Sequence, residues 1–520
     1  MDIIYRPEWT CGRYDEKHRV AIYYNLIEGM AYFFEEESAD VIREILKSDK
    51  NGLIDIHAIT DEIIIDDKIL ASFFGLLMSH GLLVSSIPTE DNIKVYRNNV
   101  RLSKQEHVKQ TIQEFQDLSV ISSTDAERLY MERVDGITSA MFELTYRCSE
   151  ACIHCYNPGA TRNNNEKNER GNRTELDFIS YKRIIDELYD QGLVKVCLSG
   201  GDPFSKQIVW DIINYLYKKG IAIDIFTNGI SVFKDVERLA KYYPRTIGIS
   251  LYSNISEVHD SITRVRGSHK KTVEFIKKCS ELGLSMYIKC CIMRPNVKSY
   301  YTVKEVAYKY GALPQFDINI TDSVEGDTCA SSNLRLTHDM LEIVLRDKDL
   351  PYYIGKGLNS SDFGKLIDMN GKMCNAGYTS ICITPEGNIQ PCCAFPMMLG
   401  NVKDSSLMEE IHNNSLLEWW KEKTLADCTD CYRHPYCVFC QMCAGNNFIA
   451  NGTPLKPSEN NCYIAKERYN LALKIREGYD PLHGKTLEER LVELTMEIPA
   501  LHRNYSNNYR NKNGVNEMSQ

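Results

Sequence analysis

Three things are missing from this 520-residue sequence, and each absence excludes a class of function. There is no basic excess: 61 Lys and Arg against 71 Asp and Glu leave a net charge of −10. No global field therefore draws the chain to nucleic acid or to an anionic membrane. There is no long apolar run either. The longest, Ile69 to Val84, is sixteen residues and includes Ser79 and His80, short of the ~20 that span a bilayer. The first residues, MDIIYRPEW, lack a basic segment followed by an apolar core, so the expectation is a cytoplasmic protein without a secretion signal. Cysteine, by contrast, is abundant, with 19 residues. Without export, so many thiols argue against a disulfide framework and for metal. Three of them, Cys148, Cys152 and Cys155, lie in CSEACIHC, and ten fall between Cys374 and Cys462. Only Cys11, Cys197, Cys279, Cys290, Cys291 and Cys329 lie elsewhere. Cys197, Cys290 and Cys291 occupy apolar strand-like runs and read as small buried hydrophobes. With 43% hydrophobic and 25% charged residues, the composition is that of a soluble globular protein, and the length implies about two to four domains.

Thiolates hold iron–sulfur clusters, and a closed electron-transfer cluster uses four. Three, spaced x3 then x2, leave one iron open to a small molecule. The alternatives are half of a zinc site or three unrelated cysteines, but zinc normally shows paired C-x2-C units with a fourth ligand at finger-like distance. Preceded by the strand-like AMFELTYR and followed by Tyr156, the triplet resembles the radical S-adenosylmethionine (SAM) superfamily. The resemblance implies that SAM chelates the open iron through its amino and carboxylate groups. It also implies that electron transfer from the cluster cleaves the sulfonium to a 5′-deoxyadenosyl radical.

From about Thr138, short β-rich runs alternate with amphipathic stretches such as ISYKRIIDELYDQG and KKTVEFIKKCSELG. This is the pattern of βα units and a parallel sheet. The strands expected are AMFELT (from Ala140), VKVCLSG (Val194), IAIDIFTNG (Ile221), TIGISLYS (Thr246), SMYIKCCIM (Ser285) and QFDINI (Gln315). Six units make a partial (β/α)6 barrel, with ligands at the C-terminal strand ends. SGGDP resembles the family's Gly-Gly-Glu segment, which implies SAM contact by Gly200, Gly201 and Asp202, the last one methylene shorter than the usual glutamate. Thr227 and Asn228 of TNG, Ser250 of ISLYS and Tyr156 fall where the family lines its SAM site, and HDSITRVRGS resembles the following segment of peptide-modifying members. Asn157 to Arg173 reads as a solvated loop or a mobile lid.

In the C-terminal field, Cys374, Gly387-x4-Cys392, Cys428-x2-Cys431-x5-Cys437 and Cys462 resemble the SPASM extension of radical SAM enzymes, which holds two auxiliary clusters. ITPEGNIQPCCAFPMMLGNV reads as a hairpin turning at Glu386-Gly387. The resemblance implies Cys374, Cys392 and Cys440 for the first auxiliary cluster and Cys428, Cys431, Cys437 and Cys462 for the second. It leaves Cys443 unassigned; Cys382, Cys393 and Cys443 stand equally as a fourth ligand of the first cluster, or that iron stays open to a substrate thiolate. The alternative for this field is a set of zinc ribbons.

At the N-terminus, HRVAIYYNLIEGMAYFFEEE reads as a hairpin turning near Glu28-Gly29. A helix over SADVIREILKSDKNG follows, with Ser38 as N-cap and Gly52 beyond its end, then two more over IDIHAIT and DDKILASFFGLLMSHG. The simplest fold is a winged helix-turn-helix, whose default use is DNA binding. Yet residues 1–85 carry 8 Lys and Arg against 16 Asp and Glu, the wrong sign for phosphate. The arrangement resembles the PqqD-like recognition element of ribosomal-peptide (RiPP) maturation, which captures a leader peptide as an added strand.

These resemblances imply an α/β architecture: a recognition domain over 1–100, a helical linker over 101–137, the partial barrel over 138–345, the SPASM domain over 346–480, and a helix with an Asn-rich disordered tail over 481–520. They imply an oxidoreductase using SAM and three 4Fe-4S clusters, and a thioether-forming maturase of the sactipeptide and ranthipeptide kind, similar to the subtilosin maturase type. Its partners would be a leader-bearing precursor peptide and a flavodoxin- or ferredoxin-type electron donor, with no nucleic acid and no membrane insertion. The same apparatus could instead form carbon–carbon links or another radical modification, including that of sulfatase maturases. From a different class stands an iron–sulfur winged-helix transcription regulator.

Overall fold

The computed structural model describes residues 3–105, 121–122, 125–157, 175–324, 329–355 and 368–495. The sequence-based loop after Asn157 and the tail beyond about His502 lie mostly or wholly outside them, as does most of the connector before Asp125.

Three antiparallel strands open the chain: β1 (Thr10–Asp15), β2 (Val20–Asn25) and β3 (Met30–Glu35). Their alternation drives the fold on both faces. Tyr23, Tyr32 and Phe34 point to one face and bury against helices Glu36–Lys47, Ile56–Glu62 and Asp67–Ser79. Ile22, Tyr24 and Phe33 point to the other, where they share a core with Tyr130, Val134, Val194 and Ala222 of the following domain. The hairpin between β2 and β3 turns where expected. Strand β1 was not expected, and neither was the helix Glu90–Gln105. That helix runs across residue 100 and ties the two halves together: Arg97 donates to the Ala240 carbonyl at 2.8 Å, and Tyr96 to Glu28 at 2.7 Å. The first helix begins at Glu36 rather than after Ser38, because the Ser38 hydroxyl donates to the Glu35 carbonyl at 2.6 Å instead of capping an amide. A two-residue strand, β4 (Ile121–Ser122), lies antiparallel on β3 opposite Tyr32 and Phe33.

The second sheet is built from the six expected parallel strands: β5 (Ser139–Glu143), β6 (Lys195–Ser199), β7 (Ala222–Thr227), β8 (Thr246–Ser250), β9 (Met286–Cys291) and β10 (Leu313–Asp317). Crossover helices such as Phe178–Asp190, Val209–Lys219 and Ser268–Glu281 cover one face. Ala140, Phe142, Val196, Leu198, Ile225, Ile249 and Ile288 pack into that helical layer. Alternation sends the intervening residues to the inner face. There Lys289 lies 3.6 Å over the Phe226 ring, and a Cβ on Gly248 would strike both side chains. Beyond β5 the sheet continues with β11 (Ser380–Ile383), parallel to β5, then antiparallel β12 (Asn388–Gln390) and β13 (Gly400–Asn401). The cysteine-bearing hairpin therefore turns where expected but is not a separate layer. It extends the barrel sheet to nine strands. Among the described residues, no helix is long and apolar enough to cross a membrane.

Candidate active site: a three-cysteine loop facing a second cysteine field

Cys148, Cys152 and Cys155 sit in the loop that leaves the C-terminal end of β5. Backbone bonds pin this loop to the end of helix Ser256–Thr263: Ala151 donates to Thr263 at 2.9 Å and Ile153 to Ile262 at 3.0 Å. From below, the glycine pair after β6 presses on it. Gly200 has φ +122, and a Cβ there would lie 2.3 Å from the Thr145 carbonyl. A Cβ on Gly201 would lie 2.5 Å from the Arg147 carbonyl. The Gly201 and Asp202 amides donate to Thr145 and Arg147 at 2.7 and 3.0 Å. These glycines thus set the height of the cysteine loop by close backbone approach.

The remaining expected residues gather at the same strand ends. Asn228 donates to Cys148 Sγ at 3.5 Å. Thr227 donates to Asp202 Oδ1 at 2.9 Å, and the same oxygen accepts from the Phe204 amide at 3.3 Å. Asp202 is fully buried, so one oxygen holds the 3-10 turn Pro203–Ser205 while burial raises its carboxyl. Sequence reasoning overlooked Tyr252, two residues beyond Ser250 at the end of β8, whose hydroxyl reaches Cys152 Sγ at 4.0 Å. Its ring lies between His154 and His259, with centroids at 4.7 and 5.5 Å. Burial pushes His154 down to about 4, so it is neutral. Burial likewise pushes Glu150 up to about 8, and Glu143, at the end of β5, up to about 7.

Whether these residues suit an iron–sulfur cluster and SAM can be judged from their donor atoms. Three thiols in one loop are the right donors. Around them four buried polar atoms have no hydrogen-bond partner among the described residues: Glu150 Oε1, His154 Nδ1, Asn157 Oδ1 and Asp202 Oδ2. Buried polar groups are normally paired, so such a cluster of unpaired ones fits a polar ligand at this mouth. Among the described residues no three His, Cys, Asp or Glu side chains converge on a single metal ion. A cubane makes no such demand, since each iron takes its own thiolate.

In the second cysteine field the structure places Cys440 and Cys443 apart. Cys431, Cys437, Cys440 and Cys462 line one cavity of about 120 Å³, and Cys428 touches Cys431. Cys440 therefore belongs spatially with this group rather than with Cys374 and Cys392. The residue that approaches those two is Cys443. Burial first, then Cys392 and Cys443, raises the Cys374 thiol to about 11. The cause is local packing. Cys443 caps helix Ala444–Asn451, its sulfur accepting from the Asn446 amide at 3.5 Å. Gly445, in the first turn, abuts the loop after Cys392 so tightly that a Cβ would lie 2.0 Å from the Ala394 carbonyl. Cys393 neighbours Cys392 at 4.0 Å, and Cys382 is wholly buried on β11.

Residues 142–298 match the radical SAM superfamily, and residues 374–443 match the iron–sulfur cluster-binding domain SPASM. The chain carries a radical SAM domain followed by a SPASM domain. It is 28% identical over 322 residues to the antilisterial bacteriocin subtilosin biosynthesis protein AlbA of Bacillus subtilis, a match covering 59% of this chain and 66% of that protein. The match thus spans just under two thirds of that relative's length. The chain is 27% identical over 363 residues to the mycofactocin maturase MftC of Mycobacterium tuberculosis, covering 65% and 87% of the two chains. The crystal structure of Streptococcus suis SuiB bound to precursor peptide SuiA superposes with a TM-score of 0.50 at 16% identity, over 88% of this chain and 99% of that one. That likeness shows the fold.

Proposed function

We propose that the protein is a maturase that binds the leader of a ribosomally made peptide and joins cysteine sulfurs of that peptide to carbon. The observation that carries the reading is the three-cysteine loop at the C-terminal end of β5, in a sheet that continues directly into the hairpin bearing Cys382, Cys392 and Cys393. The similarity to a subtilosin biosynthesis protein supports it. Cys148, Cys152 and Cys155 would hold the SAM-binding cluster. Tyr156, Gly200, Gly201, Asp202, Thr227, Asn228 and Ser250 would line the SAM pocket, with the unpaired Asp202 Oδ2 the natural partner for a cationic amine. When bound, cluster and SAM together supply a carbon-abstracting radical, a chemistry the protein orients rather than performs. Two auxiliary clusters would occupy the C-terminal field, the second within the cavity of Cys431, Cys437, Cys440 and Cys462.

The chain's own part begins at the N-terminal sheet. Its surplus of acidic residues and its extended strands suit a basic or neutral leader added edge-on, the backbone supplying affinity. Part of the β3 edge is met by Ile121–Ser122, so a leader pairing there would displace two residues of this chain. The barrel then excludes water around the core peptide. The comparable similarity to a mycofactocin maturase favours, as second reading, a different radical modification of a peptide by the same apparatus.

Anaerobic co-expression with a small cysteine-containing peptide encoded beside the gene tests the proposal. The expected result is a mass lower by two hydrogens per modified site, with the thiols closed to alkylation. Unchanged mass and fully alkylatable thiols, from an enzyme that cleaves SAM, would sink it.

A further inference from the structure

Helix Glu459–Arg476 runs from the cavity of Cys431, Cys437, Cys440 and Cys462, and two of its buried side chains keep bonding capacity unused. The first is Asn461, which lines that cavity beside Cys462. Its carbonyl oxygen accepts from Asn319 Nδ2 at 3.0 Å, and Asn319 Oδ1 in turn accepts from Asn460 at 2.7 Å. This clamp joins the segment after β10 to the start of the helix and fixes the Asn461 amide. Its Nδ2 is left buried, with no acceptor among the described residues.

The second is Arg468. Residues three apart share a helix face, and Ala465, which lines the same cavity, stands one turn before it. Arg468 is only 9% exposed. Its Nη1 donates at 2.6 Å to the Phe439 carbonyl, which belongs to the peptide group that enters Cys440. The guanidinium carbon stands 5.3 and 5.4 Å from the centroids of the Phe439 and Tyr352 rings, and Nε has no partner. Among the described residues Arg468 makes no ion pair with Asp or Glu.

A buried guanidinium without a counter-charge is costly. Four thiolates around an iron–sulfur core carry a net negative charge, and reduction increases it. Cluster potential follows net charge and hydrogen bonds to sulfur. We propose that Arg468 and Asn461 tune the reduction potential of a cluster in this cavity, Arg468 as its buried counter-ion and Asn461 Nδ2 as a hydrogen-bond donor to a ligand sulfur. This rests on the assignment above of the second auxiliary cluster to the cavity. Both residues favour the more negative, reduced form, so the site holds an electron more readily than the same thiolates would in apolar surroundings. A merely structural Arg468 would clamp the turn Pro435–Phe439 through its carbonyl bond and leave the potential alone.

The test is a redox titration of iron-loaded holoenzyme, followed by electron paramagnetic resonance of the reduced clusters. Cys462→Ala first identifies the signal that belongs to the cavity. Arg468→Gln keeps a donor for the Phe439 carbonyl and removes the charge. It should retain its iron while the reduced-to-oxidised ratio of that signal at fixed poise falls about tenfold, a midpoint about 59 mV lower for one electron. Arg468→Lys keeps the charge and should hold the wild-type midpoint. Asn461→Ala should lower the ratio by about threefold; an unchanged ratio there would remove Asn461 from the role. An unchanged midpoint in Arg468→Gln, an Arg468→Lys midpoint as low as that of the glutamine variant, or loss of iron from Arg468→Gln would each overturn the assignment of Arg468. A Cys462→Ala protein that keeps every signal and all its iron would instead refute a cluster in this cavity, a failure seen before Arg468 is touched.

Discussion

The two cysteine regions obey opposite rules. In the Cys148 loop, three thiols lie within eight residues, and short-range geometry settles their grouping. In the C-terminal field, eight of ten thiols crowd two sites, and chain spacing alone does not say which belongs where. Cys440 and Cys443 differ by three residues, yet one lines a cavity with Cys462 and the other approaches Cys374. A single glycine, Gly445, decides this by letting a helix end press against the Ala394 carbonyl. Spacing predicts a metal site well when the site is one loop and poorly when the site is assembled from several.

The comparison breaks most sharply on the first region. Replacing Cys148, Cys152 and Cys155 together by alanine should abolish 5′-deoxyadenosine formation and remove about four irons per chain, as read by product chromatography and iron assay. Persistence of the nucleoside would refute the radical SAM assignment of this loop. In that triple-alanine background only auxiliary iron remains, which isolates the second region. There Cys443→Ala should lose about half of the remaining iron, with changed electron paramagnetic resonance of the reduced clusters. Cys440→Ala should spare that cluster and disturb the other. The reverse pattern would return Cys440 to the first auxiliary site.

Smaller effects probe what shapes each region. Gly201→Ala places a Cβ 2.5 Å from the Arg147 carbonyl, so the cysteine loop must shift. A loss of about 1–3 kcal/mol is expected, seen as a lower urea midpoint together with weaker SAM binding; an unchanged midpoint would deny the bracing role. The smallest expected effect is electrostatic. Burial raises Glu143 to about 7. The folded state therefore keeps its proton well above the pH at which the unfolded chain loses it. The associated stability is full below about 4.5 and fades as pH rises through 7. Glu143→Gln removes that loss, so the variant should gain on the order of 1–2 kcal/mol over wild type at pH 8 relative to pH 5. Equal pH dependence of the two proteins would show that Glu143 reaches water.

Much of the barrel was legible. Six apolar runs separated by amphipathic stretches became six parallel strands in chain order, because a strand buried on both faces needs continuous hydrophobicity and its crossover helix needs a stripe. The N-terminal hairpin was legible from period-two alternation. Strand β1 was not, since TCGRYD mixes polar residues with a glycine whose missing side chain is needed against Ile22. The SGGDP segment was read as touching SAM through its glycines. The structure gives them a prior task, bracing Thr145 to Arg147. Tyr252 and Glu143 carried no motif. The only available signal for Glu143 was a carboxyl at an inward position of an apolar strand, FELTYRC.

By itself the sequence determined the chemistry available to this protein: thiols in a spacing that suits an open iron, apolar runs that form parallel strands, an N-terminal segment with a surplus of acidic residues. These are properties of composition and of local periodicity, which a chain carries whether or not it is folded. Tertiary structure alone decided the partnerships. It joined the SPASM hairpin to β5, set Cys440 in one cavity with Cys462 while Cys443 caps a helix elsewhere, and buried Glu143 at the end of β5. Partnerships of this kind depend on which surfaces approach within a few ångströms, and that is fixed by long-range packing, to which spacing along the chain is blind.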